Sequence, residues 1–92
     1  TATKLAGEYY CKAFNNLYNL PYTIVRFGVP YGPRARARTV ANVFLDKALN
    51  NEPLTIAGDG SQFRKFVYVE DLANGVILSL SPVAENRVYN LE

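Results

Sequence analysis

The sequence predicts an α/β fold, and three observations point to it. Residues 2–19 repeat apolar side chains at helical spacing. Short runs rich in β-branched and aromatic residues stand at 22–27, 66–69 and 87–91. Helical stretches separate the longest of these runs, so 22–27 and 87–91 are expected to pair in parallel.

In the first helix Leu5, Tyr9, Ala13 and Leu17 recur every four residues, with Ala6, Tyr10, Phe14 and Tyr18 as an adjacent stripe. Two such stripes are broad for a surface helix. Either the helix packs on the sheet beneath it, or one stripe meets another subunit. Glu8 stands one turn from both Lys4 and Lys12, a spacing that supports a helix. Asn19, before Leu20 and Pro21, suits a left-handed stop. Tyr22–Phe27 shows little polar alternation, as in a strand covered on both faces. Gly28, Pro30, Gly32 and Pro33 then predict an irregular loop.

A second helix is expected over about 38–50, with Val40, Phe44, Lys47 and Ala48 along one side and Asn50-Asn51 ending it. A short strand is expected at 54–57, closed by a Gly58-Asp59-Gly60 turn. A further strand is expected at 66–69. Glu70 and Asp71 favour a helix start there, and that helix is expected to reach Ser81 before Pro82. Residues 87–91 close the chain as a strand.

Ninety-two residues make one domain, 1–92, whose 49% apolar content favours folding over disorder. A net charge of +2 is too small to imply a nucleic-acid or membrane partner. Arg34, Arg36 and Arg38 form the one local excess, read here as a solvated loop. The single cysteine, Cys11, excludes an internal disulfide and suits a reducing cytosol. Its apolar helical neighbours suggest packing. The absence of histidine removes Ser-His-Asp triads and His-based metal sites. No apolar run approaches the ~18 residues of a membrane span.

Four strings, in order, carry a resemblance. Lys4-Leu5-Ala6-Gly7-Glu8 is similar to the end of Tyr-x-x-x-Lys-Leu-x-x-Glu, whose Tyr would fall just before Thr1. Arg26–Pro33 resembles Arg-x-x-x-x-Tyr-Gly-Pro. Pro53–Arg64 resembles Pro-Leu-x-Ile-x-Gly-Asp-Gly-x-Gln-x-Arg, and Phe66–Ala73 resembles Phe-x-Tyr-Val-x-Asp-x-Ala. Together they resemble the extended short-chain dehydrogenases/reductases, the NAD-dependent nucleotide-sugar epimerases and dehydratases.

The resemblance implies the C-terminal portion of a Rossmann-like sheet plus the small nucleotide-sugar-binding subdomain. It implies that the N-terminal Rossmann half lies outside this sequence, so that the isolated segment is inactive and binds NAD weakly. Lys4 would be catalytic and cofactor-binding, holding the nicotinamide ribose and lowering the pKa of the motif's Tyr. That phenolate would take a sugar hydroxyl's proton as hydride passes to NAD. Tyr31 would close the site beside the nicotinamide. Arg64 would bind the diphosphate of a nucleotide-diphosphate sugar. Val40, Phe44 and Thr55 would line the nucleotide base, although ordinary helix packing accounts equally well for Val40 and Phe44. The helix over 2–19 would form a homodimer, with Tyr9, Tyr10, Ala13, Phe14 and Leu17 as contacts. Asp59 and Asp71 are assigned to turn geometry and helix start. Two departures bear on the sugar nucleotide: Gly28-Val29-Pro30 stands where many relatives have Asn, and Lys65 where an Asp usually follows the Arg. A non-catalytic nucleotide-sugar-binding or dimerisation module is the alternative reading.

Overall fold

A computed structural model describes all of residues 1–92. In chain order it contains α1 (Ala2–Tyr18), β1 (Thr23–Phe27), β2 (Val29–Tyr31), α2 (Val40–Leu49), β3 (Phe66–Tyr68), α3 (Val69–Leu78), a 3₁₀ turn at Pro82–Ala84 and β4 (Arg87–Leu91). The strands form two parallel pairs. β1 pairs with β4 from Thr23↔Arg87 to Phe27↔Leu91, as the intervening helices led us to expect. β2 pairs with β3 from Val29↔Phe66 to Tyr31↔Tyr68.

Strand β2 lies where a loop was expected. Gly28, Pro30 and Gly32 are turn-forming residues, yet Pro30 is tolerated because β2 has only one neighbour and needs no donor on its free side. Gly28 is required for this pairing. A Cβ there would overlap the carbonyl oxygen of Lys65, the same oxygen that accepts a hydrogen bond from the Val29 amide at 2.8 Å. The expected strand at 54–57 does not form, since no neighbouring strand offers it a ladder; the segment is irregular, bends at Ala57 and is exposed. Helix α2 begins at Val40 rather than 38. Helix α3 begins at Val69, directly after β3, and ends at Leu78 rather than Ser81. Its early stop coincides with a hydrogen bond from the Ser79 hydroxyl to the Val76 carbonyl at 2.6 Å. Glu70 and Asp71 sit in its first turn, as expected.

Left-handed asparagines punctuate the fold. Asn19 ends α1 with φ 51°, its amide donating to the Asn15 carbonyl at 2.8 Å. Asn51 follows α2 with φ 53°, and Asn86 precedes β4 with φ 58°. Helix α3 crosses β4 closely, because Gly75 leaves room for Leu91: a Cβ at Gly75 would stand 2.5 Å from the Leu91 Cδ1.

The interior is small. Only Val67 and Ala84 are buried. The radius of gyration is 17.6 Å and the long axis 56 Å, against roughly 12 Å expected for the radius of a compact chain of this length. In α1 every residue but Glu8 and Asn15 is exposed. Its two apolar stripes do not pack on β1 and β4; Tyr9, Tyr10, Phe14 and Leu17 all face outward. Strand β1 is half-buried to exposed, not covered on both faces. Cys11 is exposed rather than packed.

Candidate functional site

Helix α2 and the chain from 55 to 66 enclose an open cavity of about 670 Å³. Val40, Ala41 and Phe44 supply the helical wall, since positions i, i+1 and i+4 share one side of a helix. Thr55, Ile56 and Ala57 form the opposite wall, and Phe63, Arg64 and Phe66 the floor. Thus Val40, Phe44, Thr55 and Arg64, singled out from the sequence, converge on one cavity.

The 54–56 segment keeps its place without a β-ladder. The Lys47 ammonium, one turn beyond Phe44 on α2, donates to the Thr55 hydroxyl oxygen at 3.1 Å. At the end of the segment the chain reverses through Gly58 and Gly60, with φ of 87° and 76°. The Asp59 carboxylate accepts from the Ser61 hydroxyl at 2.6 Å and from the Ser61 amide at 3.0 Å. These bonds, the hydroxyl's first, hold the Asp59 carboxyl below its usual range. Asp59 is therefore committed to the turn. Gln62 reaches across it, its amide donating to the Ala57 carbonyl at 3.4 Å.

Arg64 is the one cationic side chain lining the cavity. Its Nη1 donates to the Phe63 carbonyl at 2.9 Å. The chain's two ion pairs are Arg26–Glu8 and Lys65–Glu92, so no carboxylate neutralises Arg64. A planar guanidinium with no carboxylate partner can hold an anion through two parallel hydrogen bonds.

The two residues expected to meet the cofactor lie elsewhere. Tyr31, on β2, packs its ring against Tyr68 at 5.5 Å, tilted by 54°, and edge-on to Phe66 at 6.4 Å. Phe66 lines the main cavity, so one aromatic ring forms a shared wall between Tyr31 and the Arg64 site. Lys4 occupies the first turn of α1, exposed, its ammonium in neither ion pair. Tyr31 borders two smaller cavities, neither of them lined by Lys4. Arg34, Arg36 and Arg38 lie in the loop before α2, and the Asn42 side-chain amide donates to the Arg36 carbonyl at 3.0 Å.

Sequence reasoning missed Gln62, Phe63 and Phe66 as cavity residues. The signal was present, since aromatic residues bracket Arg64 within four positions. It also placed Glu8 in helical pairs with Lys4 and Lys12. Instead Glu8 forms a two-point ion pair with Arg26 of β1: Nε donates to Oε1 at 2.7 Å and Nη2 to Oε2 at 2.6 Å. The side-chain hydrogen bond from Arg26 chiefly lowers the Glu8 carboxyl from its ordinary 4.5, while Glu8 raises Arg26.

Residues 1–91 match the NAD dependent epimerase/dehydratase family. A UDP-glucuronate 4-epimerase of Thermodesulfobacterium geofontis is 37% identical over 82 residues, covering 89% of this chain and 25% of the relative. The crystal structure of UDP-glucuronic acid 4-epimerase from Bacillus cereus, in complex with UDP-glucuronic acid and NAD, superposes with a TM-score of 0.82 at 34% identity, over 97% of this chain and 29% of that one. A dTDP-glucose 4,6-dehydratase from Streptomyces venezuelae, with NAD bound, gives a TM-score of 0.82 at 26% identity, over 97% and 28%. The chain thus spans less than a third of the length of these relatives.

Proposed function

The chain belongs to the NAD dependent epimerase/dehydratase family, and we propose that it supplies the nucleotide-sugar-binding portion and the motif lysine of such an enzyme. The observation that carries this reading is the convergence of Val40, Phe44, Thr55 and the unpaired Arg64 on one cavity. Its chemistry matches the ligand: apolar walls for a base, a hydroxyl for a ribose or base edge, and a guanidinium for a diphosphate. Lys47 supports this site from behind the lining, its ammonium donating to the Thr55 hydroxyl oxygen at 3.1 Å.

The residues present fit only one end of the cofactor. Lys4 keeps three ammonium donors outside any ion pair, as ribose hydroxyls require, whereas the chain carries no glycine-rich loop for a pyrophosphate. NAD, when bound, accepts a hydride from a sugar carbon. Lys4 fixes the ribose and, by its positive charge, favours the ionised form of a neighbouring phenol. Tyr31, packed on Phe66 and Tyr68, closes the space between cofactor and sugar. Arg64 holds the substrate's diphosphate so that the sugar is presented from the other side.

The enzyme so assembled is a homodimer that joins through α1. Tyr10 is 68% exposed and Leu17 72% exposed on that helix, more apolar surface than a monomer helix usually shows. In sedimentation the chain is expected to run as a dimer or larger species at high micromolar concentration, and Leu17→Glu to shift it to monomer. A clean wild-type monomer would remove this part of the proposal.

The binding test uses the 92-residue chain. Titrated with UDP-glucose, the amides of Val40, Phe44 and Thr55 and the Arg64 side chain should shift together at up to millimolar ligand. NAD should leave them unmoved and bind no tighter than millimolar. Silence of all four residues toward the sugar nucleotide would overturn the reading.

A further inference from the structure

Helix α1 carries an apolar face, yet it is held to the body by polar side chains. Of its seventeen residues only Glu8 and Asn15 are half-buried; every other one is exposed. Glu8 is clamped by Arg26 through two hydrogen bonds. Asn15 donates to the Asn86 side-chain oxygen at 3.1 Å and to the Leu20 carbonyl at 3.0 Å. At about 100° per residue, Lys4, Glu8 and Asn15 fall within an arc of roughly 40° on one side of the helix. Leu5, Tyr9, Ala13 and Leu17 lie on another side. The docking contacts therefore lie at Asn15 and Glu8, and Lys4 stands on the same side of the helix, exposed, one turn beyond Glu8.

The two anchors do different work. Asn15 sits beside the link into β1, so alone it would leave the opposite end free to pivot, with Lys4 roughly 16 Å along the axis. Glu8 is about 6 Å from Lys4 along the axis. Its partner Arg26 belongs to β1, whose next residues lead through Gly28 into β2 and Tyr31. A bidentate carboxylate–guanidinium pair fixes both distance and rotation, which a single hydrogen bond cannot. We propose that Glu8 and Arg26 are positioning residues for Lys4: their two-point ion pair sets the tilt and rotation of α1 relative to the strand that leads to Tyr31. The catalytic meaning of this rests on the role of Lys4 proposed above; the geometric claim does not.

The test measures position rather than chemistry. In the full chain with Cys11→Ser, nitroxide labels at Lys4→Cys and Asn90→Cys report the distance from the end of α1 to β4 by pulsed electron resonance. The native pair should give one narrow distribution. Glu8→Gln, which keeps shape but loses charge, should at least double its width, and the exchange Glu8→Arg with Arg26→Glu should narrow it again. An unchanged distribution in Glu8→Gln would overturn the proposal. So would loss of helical circular dichroism in both Glu8→Gln and the exchange, because the pair would then be supporting the fold rather than aiming Lys4. A negative result here leaves the nucleotide-sugar site untouched, whereas silence of Arg64 toward UDP-glucose leaves the distance result standing.

Discussion

Helix α1 and the cavity around Arg64 solve opposite problems with similar residues. The cavity is assembled from 40–66, a stretch short enough that its own turns bring both walls together. Its aromatic and aliphatic side chains line a concave surface, with Arg64 left without a counter-charge. In α1 the apolar residues face outward and the contacts inward are an ion pair and an amide network. Each region is held together in its own way. The cavity rests on local geometry, fixed by the Asp59 turn and the Lys47–Thr55 bond. The orientation of α1 rests on charge, and its apolar face is available for a partner.

The largest expected effect separates the two regions by function. In an active protein containing this segment, Lys4→Ala should lower kcat by about 10²-fold or more, the scale of general acid–base assistance, with sugar-nucleotide affinity little changed. Arg64→Ala should do the reverse, weakening sugar-nucleotide binding by about 2–3 kcal/mol while NAD affinity holds. Arg64→Lys should recover only part of the loss, because an ammonium lacks the planar fork. Steady-state kinetics beside calorimetry reads both. If Arg64→Ala binds the sugar nucleotide as wild type does, the cavity is not the diphosphate site.

A smaller effect tests whether the cavity region is as self-contained as its geometry suggests. Gly28→Ala drives a methyl into the Lys65 carbonyl, a backbone atom that cannot rotate away. Separating β2 from β3 there should cost about 1–3 kcal/mol in denaturant unfolding. It should also shift the amides of Phe66 and Tyr31 while leaving the Glu8–Arg26 resonances in place. Wild-type stability for Gly28→Ala would mean the β2–β3 pairing contributes little.

The same contrast governs what could be read from the sequence. Parallel pairing of β1 with β4 followed from the helices between them, whereas Val40, Phe44, Thr55 and Arg64 came from the family resemblance, only the last two lying inside one of its motifs. Strand β2 was hidden because its three residues lie among glycines and prolines, and only contact with Lys65, some thirty-five positions on, makes them a strand. Residues 54–57 erred the other way: their β-propensity was genuine, but propensity without a neighbouring strand makes no ladder. The Glu8–Arg26 pair was invisible for a further reason. Helical spacing offered Lys4 and Lys12 as nearer partners, and an exposed i,i+4 pair is worth only tenths of a kcal/mol, so a two-point guanidinium clamp from the strand prevails.

The smallest effect is the most direct measure of that difference, because each region carries one carboxylate with a lowered pKa. Glu8 is lowered mainly by the Arg26 hydrogen bonds and Asp59 mainly by the Ser61 hydroxyl. In each case the folded carboxylate keeps its charge to lower pH than the unfolded one. Its contribution to stability is therefore complete above the ordinary carboxylate value and fades as pH falls through the folded value. Both groups are solvent-accessible, so the stability involved is slight and carboxyl titration by NMR is the suitable readout. Arg26→Met should return Glu8 toward 4.5 and leave Asp59 where it was. Ser61→Ala should raise Asp59 and leave Glu8 unmoved. As acid protonates Glu8, amide exchange should quicken along α1 toward Lys4 but not around Gly58 and Gly60. If either substitution moved both carboxyls, the two regions would be coupled, and the division between a charge-oriented helix and a locally built cavity would fail.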